Sequence, residues 1–284
     1  MILGGDGMFA YDMYYTLKKD KSFQPISLSK SILDITNQKK LKECISTERP
    51  YAVINTVGPA VDICEENPAF AKKINVDAVR NCAQWCEMVG ARFIHLSTCG
   101  LFGDDKKYHT EKDDVDLKTM YAKTKFEGEK AALSSCENTI ILRPGWMYGG
   151  TTQHKKNFVV NRLRELINIK KVKSAADKFG NPTWTRDAAR ATMDLIKNEK
   201  TRGIFHLSNS EGGSRADYIE AIIYYAKLDI IVERVDSSFF QRKSDVPDCE
   251  LLNNSYLNSV IDSPMRDWHS ALNDYIKNLD LSII

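Results

Sequence analysis

The chain has 284 residues, 43% hydrophobic and 27% charged, with 40 Lys and Arg against 38 Asp and Glu. This is the composition of an ordinary globular protein, long enough to bury a full core as one large domain or two unequal ones. A net charge of +2 makes no electrostatic case for nucleic acid or an acidic membrane surface, while local fields leave room for small anionic ligands.

In chain order, Met1–Leu3 reads as a first strand, and Ala10–Lys19 as a helix behind the stretch GGDG. Pro25–Leu28 is a second strand and Gln38–Thr47 a second helix. Tyr51–Thr56 is a third strand, apolar almost throughout, as a parallel strand buried on both faces must be. Pro68–Val89 reads as one long helix, Arg92–Ser97 as a strand, Met120–Ser134 as a helix and Thr139–Arg143 as a strand. Short strands separated by helices imply a parallel sheet covered on both sides. Beyond residue 150 the alternation becomes irregular. A loop at 149–152 precedes helices at Asn157–Ile169 and Thr185–Lys197, a strand at Gly203–Ser208, and amphipathic helices at Ala216–Lys227 and Trp268–Leu279. The expected fold is α/β, a Rossmann-type doubly wound parallel sheet with a smaller C-terminal α/β lobe. Residues 1–148 would bind the nucleotide cofactor, the chain returning to that layer around 180–208, and 149–284 would mainly hold substrate.

No apolar run approaches the ~18 residues that span a bilayer. Residues 1–10 lack the basic region and apolar run of a signal peptide. The seven cysteines are an odd number and fit reduced, buried thiols, so a cytoplasmic location is expected. Cys82 and Cys86 lie four apart, but no second pair or nearby histidine completes a zinc site, so no metal is expected.

Gly4-Gly5-Asp6-Gly7-Met8-Phe9-Ala10 matches G-x-x-G-x-x-A. A glycine makes the tight turn, another lets backbone approach a pyrophosphate, and the last small residue lets the helix pack on the sheet. Such a loop is weak evidence alone. The second strand ends at Ser29-Lys30, where an acidic residue would select a free ribose. A hydroxyl and a cation suit a 2′-phosphate, pointing to NADP(H). The first strand is short for such a loop. Either it is truncated or the start lies upstream.

The stretch FIHLSTCGLFG, residues 93–103, precedes TMYAKTKFEGEK, residues 119–130. Tyr121 and Lys125 share one helix face. A lysine so placed would stabilise tyrosinate and bring a phenol of ordinary pKa ~10 toward neutrality, so that it exchanges a proton with a carbonyl oxygen. Thr98, with Ser97 beside it at the preceding strand end, would supply the second hydrogen bond to that oxygen.

With these motifs together the chain resembles the extended short-chain dehydrogenase/reductase superfamily and, within it, the dTDP-4-dehydrorhamnose reductase family. The resemblance runs from Gly4 to about Tyr275 through VINTVGPAVDICEENPAFAKKINV (53–76), IHLSTCGLFG, YAKTKFEGEKAAL, ILRPGWMYGG (141–150), KNFV and PMRDWHSAL. It implies an NADPH-dependent reductase acting on C4 of a nucleotide-activated 4-keto-6-deoxy sugar, in surface glycan precursor synthesis. Tyr121 would be the proton donor, Lys125 would hold the nicotinamide ribose, and Thr98 and Ser97 would face the substrate oxygen. Gly4, Gly7 and Met8 would cradle the pyrophosphate, and Ser29 and Lys30 the 2′-phosphate. Asp34 and Ile35 would frame the adenine, with Val57 and Pro144 also lining the cofactor. Trp146 would line the sugar pocket, with Asn157 and Phe158 near the entrance for the nucleotide. The sequence leaves oligomeric state open, a homodimer included.

Two segments depart from the family pattern. Ser-Thr-Asp-Tyr-Val-Phe is replaced by Ser97-Thr98-Cys99-Gly100-Leu101-Phe102, and Asn-Thr-Val-Gly-Pro-Ala stands at 55–60. The serine-x-cysteine arrangement is similar to GDP-fucose synthase, which leaves open a combined C3/C5 epimerase and 4-reductase of a GDP- or other nucleotide-sugar. Cys99 would be its acid/base group and His154 a candidate partner. A third reading is a non-catalytic NADP-binding regulatory subunit, as in a relative that serves methionine adenosyltransferase.

Overall fold

The computed structural model describes residues 1–241 and 243–280. Its centre is a six-stranded parallel sheet. The chain enters through β1 (Ile2–Leu3), α1 (Met8–Lys19), β2 (Ser27–Leu28), α2 (Gln38–Glu48) and β3 (Ala52–Asn55). There follow α3 (Val61–Glu66), α4 (Pro68–Lys72), a π-helical turn (Lys73–Asp77), α5 (Ala78–Val89), β4 (Arg92–Leu96), α6 (Met120–Ser135) and β5 (Thr139–Pro144).

Side chains alternate across this sheet while both faces stay buried. Val53, Phe93 and Ile141 pack with Leu41, Val79 and Ala83 of α2 and α5. Ile54, Ile94 and Ile140 pack with Met13 of α1 on the opposite face. Both sides being covered is why YAVINT is apolar almost throughout rather than alternating.

Pro68–Val89 differs from the single helix expected. A π turn at Lys73–Asp77 interrupts it, and a separate short helix, α3, precedes it. Asn67 ends α3 and caps α4, accepting the Phe70 amide at 3.0 Å, with Pro68 in the first turn where its missing N–H costs nothing.

The remaining elements are β6 (Trp146–Tyr148), α7 (Phe158–Leu166), β7 (Lys171–Ala175), β8 (Phe179–Gly180), β9 (Pro182–Trp184), α8 (Thr185–Lys197) and β10 (Gly203–Leu207). After these come β11 (Gly213–Ser214), α9 (Arg215–Tyr225), β12 (Ile231–Val235), a 3₁₀ turn, β13 (Cys249–Glu250), α10 (Ser255–Asn258) and α11 (Trp268–Lys277). β10 pairs with β5 at the edge of the central sheet, and Ala188, Ala191 and Leu195 of α8 join the core that α1 covers. Leu257 of α10 packs in that core too, whereas a separate core, with Tyr148, Trp184, Tyr218, Ile222, Trp268 and Leu272, joins β6, β9, α7, α9 and α11. Three small sheets there, β6–β9, β7–β12 and β11–β8–β13, lie outside the sequence expectation.

The central order is β2-β1-β3-β4-β5-β10. Chain progress reverses direction between β1 and β3, and a doubly wound sheet opens its ligand crevice at that switch point, beyond the strands' C-terminal ends. Gly4 follows β1 there, and Thr56 and Val57 follow β3. Among the described residues no helix is long and apolar enough to cross a membrane.

Candidate active site

The glycine loop lies at the switch point and its geometry requires glycine. Gly4 sits at φ +84°, and a Cβ placed on it would lie 2.7 Å from the Thr56 hydroxyl and 3.0 Å from a Val57 methyl. The Gly4 and Gly5 amides donate to Leu28 O at 3.0 and 2.9 Å, tying the loop to the end of β2. Gly7 is the N-cap of α1 without a side-chain cap, and the first turn from Met8 carries no acid. The amides of that turn therefore keep their affinity for an anion, and the backbone has room for a pyrophosphate.

Ser29 and Lys30 follow β2, half-buried and exposed respectively. Asp34 is spent locally: its carboxylate accepts the Thr36 amide and hydroxyl, each at 2.8 Å, and the amide chiefly holds its pKa below the ordinary value. Ile35 is buried in the core on that face of the sheet. Pro144 is buried at the end of β5. The residues present fit a dinucleotide carrying a 2′-phosphate.

Tyr121 and Lys125 come from the first two turns of α6, whose N-cap Thr119 accepts the Ala122 amide at 3.0 Å. Lys125 is 1% exposed. Its ammonium donates to Leu96 O at 2.5 Å and stands 3.3 Å from His95 Nε2. Burial lowers its pKa to about 8, against the opposing charge of Glu129. Glu129 is itself gripped by Arg143 through two bonds of 3.0 and 2.7 Å.

Below the lysine, His95 Nδ1 meets Asn55 Nδ2 at 3.3 Å, and Asn55 Oδ1 accepts the Val57 amide at 3.1 Å. Burial first, and then the Lys125 charge, hold His95 well below its ordinary pKa, so it is neutral. Motif reasoning does not reach Asn55 or His95. The available signal is a polar residue inside an apolar strand, YAVINT and FIHLST, where a buried polar group needs partners.

Tyr121 differs from the expectation of a lowered pKa. It is half-buried, and burial raises the phenol above its ordinary range, opposed in part by the Thr98 hydroxyl. The lysine does not reverse this because its ammonium is directed at Leu96 O and His95. Tyr121 therefore carries its proton throughout the neutral range. Thr98 Oγ1 accepts the Gly100 amide at 3.0 Å, which leaves its own hydrogen for a second acceptor. Ser97 is buried, its hydroxyl without a partner among the described residues.

The lysine burial gives a stability prediction. A fall from 10.5 to about 8 corresponds to a cost of about 3 kcal/mol at neutral pH. Between those values the unfolded chain binds the proton that the folded chain has released, so wild-type stability rises with pH through the window. Lys125→Met removes the titration and leaves Leu96 O without its donor. Denaturant unfolding of both proteins at pH 7 and 9.5 should show the wild type gaining on the variant by ~1–3 kcal/mol. A difference independent of pH would refute the buried, easily deprotonated lysine.

Beside Tyr121 and Thr98 lies a cluster around Trp146. The indole N–H donates to Glu250 Oε2 at 2.6 Å, and the Cys99 thiol to Glu250 Oε1 at 3.6 Å. The Arg215 guanidinium lies 3.5 Å from the Trp146 ring centroid. Burial and then Glu250 push the Cys99 thiol well above its ordinary pKa. Cys99 is thus held as a neutral thiol, the opposite of what a base for carbon epimerisation requires. His154 accepts the Thr151 amide at 2.9 Å and rests against Tyr11 of α1.

Asn157 is not at an entrance. It is fully buried and caps α7, its amide donating to Gly149 O at 2.8 Å and to the Tyr275 hydroxyl at 2.7 Å. Among the described residues no group of His, Cys, Asp and Glu is placed to hold a metal ion.

Comparison with known proteins adds four findings. The model of the RmlD substrate binding domain family matches residues 1–281. The spore coat polysaccharide biosynthesis protein SpsK of Bacillus subtilis is 27% identical over 279 residues, covering 98% of this chain and 96% of that protein. The crystal structure of a dTDP-4-dehydrorhamnose reductase, an RfbD ortholog from Clostridium acetobutylicum, superposes with a TM-score of 0.91 at 30% identity, covering 97% of each chain. A Bacillus anthracis dTDP-4-dehydrorhamnose reductase, solved in complex with NADP, shares the fold with a TM-score of 0.92 at 24% identity over 98% of each chain.

Proposed function

This chain belongs to the RmlD substrate binding domain family, and we propose that it is an NADPH-dependent reductase of the 4-keto group of a nucleotide-activated 6-deoxy sugar. By this reading it acts in the cytoplasm, on precursors of surface glycans. The observation that carries the proposal is the pairing of Tyr121 and Thr98 beside a glycine loop whose helix amides are uncapped. The names of the similar proteins, a dTDP-4-dehydrorhamnose reductase and a polysaccharide biosynthesis protein, support the substrate class.

Bound NADPH would supply the hydride. The chain's own groups account for the rest. Tyr121, kept protonated by burial, donates its proton to the ketone oxygen as that oxygen gains charge. Thr98 holds the same oxygen with the hydrogen that Gly100 leaves free, so two donors stabilise the developing alkoxide. Lys125 supplies a positive charge at the base of the site and a hydrogen-bond donor for a ribose hydroxyl. Gly4, Gly7 and Met8 hold the pyrophosphate by backbone amides, and Ser29 and Lys30 receive the 2′-phosphate. Trp146 offers an aromatic face to the sugar, and the lobe after residue 149 receives the nucleotide.

The test is NADPH consumption against a panel of 4-keto-6-deoxy nucleotide-sugars, with the product configuration at C4 read by NMR. At least one member should be reduced at C4 with one NADPH consumed per product. Tight NADPH binding with no turnover of any member would overturn the proposal in favour of a binding subunit.

A further inference from the structure

Glu250 enters the cluster from β13, a two-residue strand in register with Gly180 of β8. Both neighbours are shaped to admit it. A Cβ placed on Gly100 would lie 3.1 Å from Glu250 Oε1, so the carboxylate occupies the space a side chain at position 100 would take. The Trp146 ring lies flat against Gly180, where a Cβ would overlap it, and this aims the indole N–H at Glu250 Oε2.

The carboxylate lies against Cys99 and Gly100, the two residues that follow Thr98, and a Cβ on Gly100 would lie 3.1 Å from Glu250 Oε1 and 3.4 Å from Thr98 Oγ1. An ionised carboxylate accepts at about four lone-pair positions. Here the Trp146 N–H takes one strongly and the Cys99 thiol another weakly, so acceptor capacity remains. Of the ring carbons next to a 4-ketone in a 6-deoxy pyranose, C5 carries a methyl group and the ring oxygen, and C3 alone carries a hydroxyl.

We propose that Glu250 is a specificity-determining residue which accepts a hydrogen bond from the C3 hydroxyl of the sugar, so that the site selects 3-hydroxy substrates over their 3-deoxy counterparts. This rests on the reading of the site as a 4-keto sugar reductase. The carboxylate is half-buried, and when the sugar closes over it without a 3-hydroxyl one of its acceptor positions loses water and gains no partner, a penalty that is the source of discrimination. The indole and thiol fix the carboxylate before substrate arrives, so little ordering cost offsets the bond.

The experiment compares wild type, Glu250→Gln and Glu250→Ala on a 4-keto-6-deoxy nucleotide-sugar and its 3-deoxy analogue. The quantity read is the ratio of the two kcat/KM values. Wild type should favour the hydroxylated sugar by ~10–100-fold, the range expected of a hydrogen bond to a charged group. Glu250→Gln should reduce that ratio at least ~5-fold and Glu250→Ala should bring it near unity.

Glutamine keeps an amide oxygen for the Trp146 N–H. A purely structural role for Glu250 would therefore leave the ratio intact in Glu250→Gln, and that result would overturn the proposal. Calorimetric binding of the two nucleotide-sugars to the NADP complex reads the same preference without turnover. If wild type reduces neither sugar, the reductase reading fails. A 3-hydroxy preference in binding that Glu250→Gln abolishes would still uphold Glu250, and equal binding of both sugars by wild type would sink it.

Discussion

Tyr121→Phe should lower kcat by ~10²–10⁴-fold, the contribution of a positioned proton donor, while NADPH affinity stays within ~3-fold because the ring's packing and the glycine loop are untouched. The substitution removes a single oxygen, and no neighbour can replace it. The Cys99 thiol is engaged with Glu250. The Lys125 ammonium is directed at Leu96 O and His95. Thr98 retains one hydrogen bond to the ketone oxygen but has no comparable acidity to give its proton away. Steady-state turnover and fluorescence titration of NADPH on the same preparations provide the check. Turnover within ~5-fold of wild type, against the ~10²-fold minimum for general acid catalysis, would remove Tyr121 from the chemistry. Because burial raises its pKa, wild-type activity should show no loss attributable to tyrosine ionisation between pH 6 and 9.

The central sheet could be read from the sequence because its strands are buried on both faces and separated by helices with clear periodicity. YAVINT and FIHL are apolar runs broken only by Asn55, Thr56 and His95 for that reason. The small sheets of the second lobe carry no such mark. β7 and β12 leave several residues exposed, and β8, β11 and β13 are two residues long, so tertiary contacts rather than local pattern create them. The site divides in the same way. Tyr121 and Lys125 are one helical turn apart, a spacing visible in any linear reading. Glu250 is separated from Cys99 by 151 positions, and nothing in DCELL marks it before the chain folds. The direction of the Tyr121 shift was not legible either. The spacing fixes which residues share a face but not that the ammonium points at Leu96 O, and that orientation lets burial prevail.

Gly128→Ala should destabilise the fold by ~2–4 kcal/mol and lower the melting temperature by ~5–15 °C at this chain size. On an open helix face the same change would add about 1 kcal/mol of stability, since alanine is the better helix former. The sign reverses here because of what faces α6. A Cβ on Gly128 would overlap the carbonyl oxygen of Asn75, closer than the 3.0 Å that Cβ atoms essentially never breach, and that oxygen is backbone. Asn75 lies in the π turn Lys73–Asp77, is fully buried, and donates from Nδ2 to the Thr124 hydroxyl one turn earlier on α6 at 3.0 Å. The two segments are therefore locked at close approach by a hydrogen bond and by the missing side chain together. Relief of the overlap requires α6 or the turn to move by roughly 1 Å, and misplacement of that size costs ~10²-fold in rate where proton transfer depends on alignment. Since α6 carries Tyr121 and Lys125, calorimetric melting and kcat should fall together. Gly90→Ala, at a helix end with φ +73° and nothing within 4 Å of its Cβ, should cost ~1 kcal/mol of stability through backbone strain alone and leave kcat unchanged. An unchanged or raised melting temperature in Gly128→Ala would mean that the helix–turn contact yields more easily than its backbone composition implies.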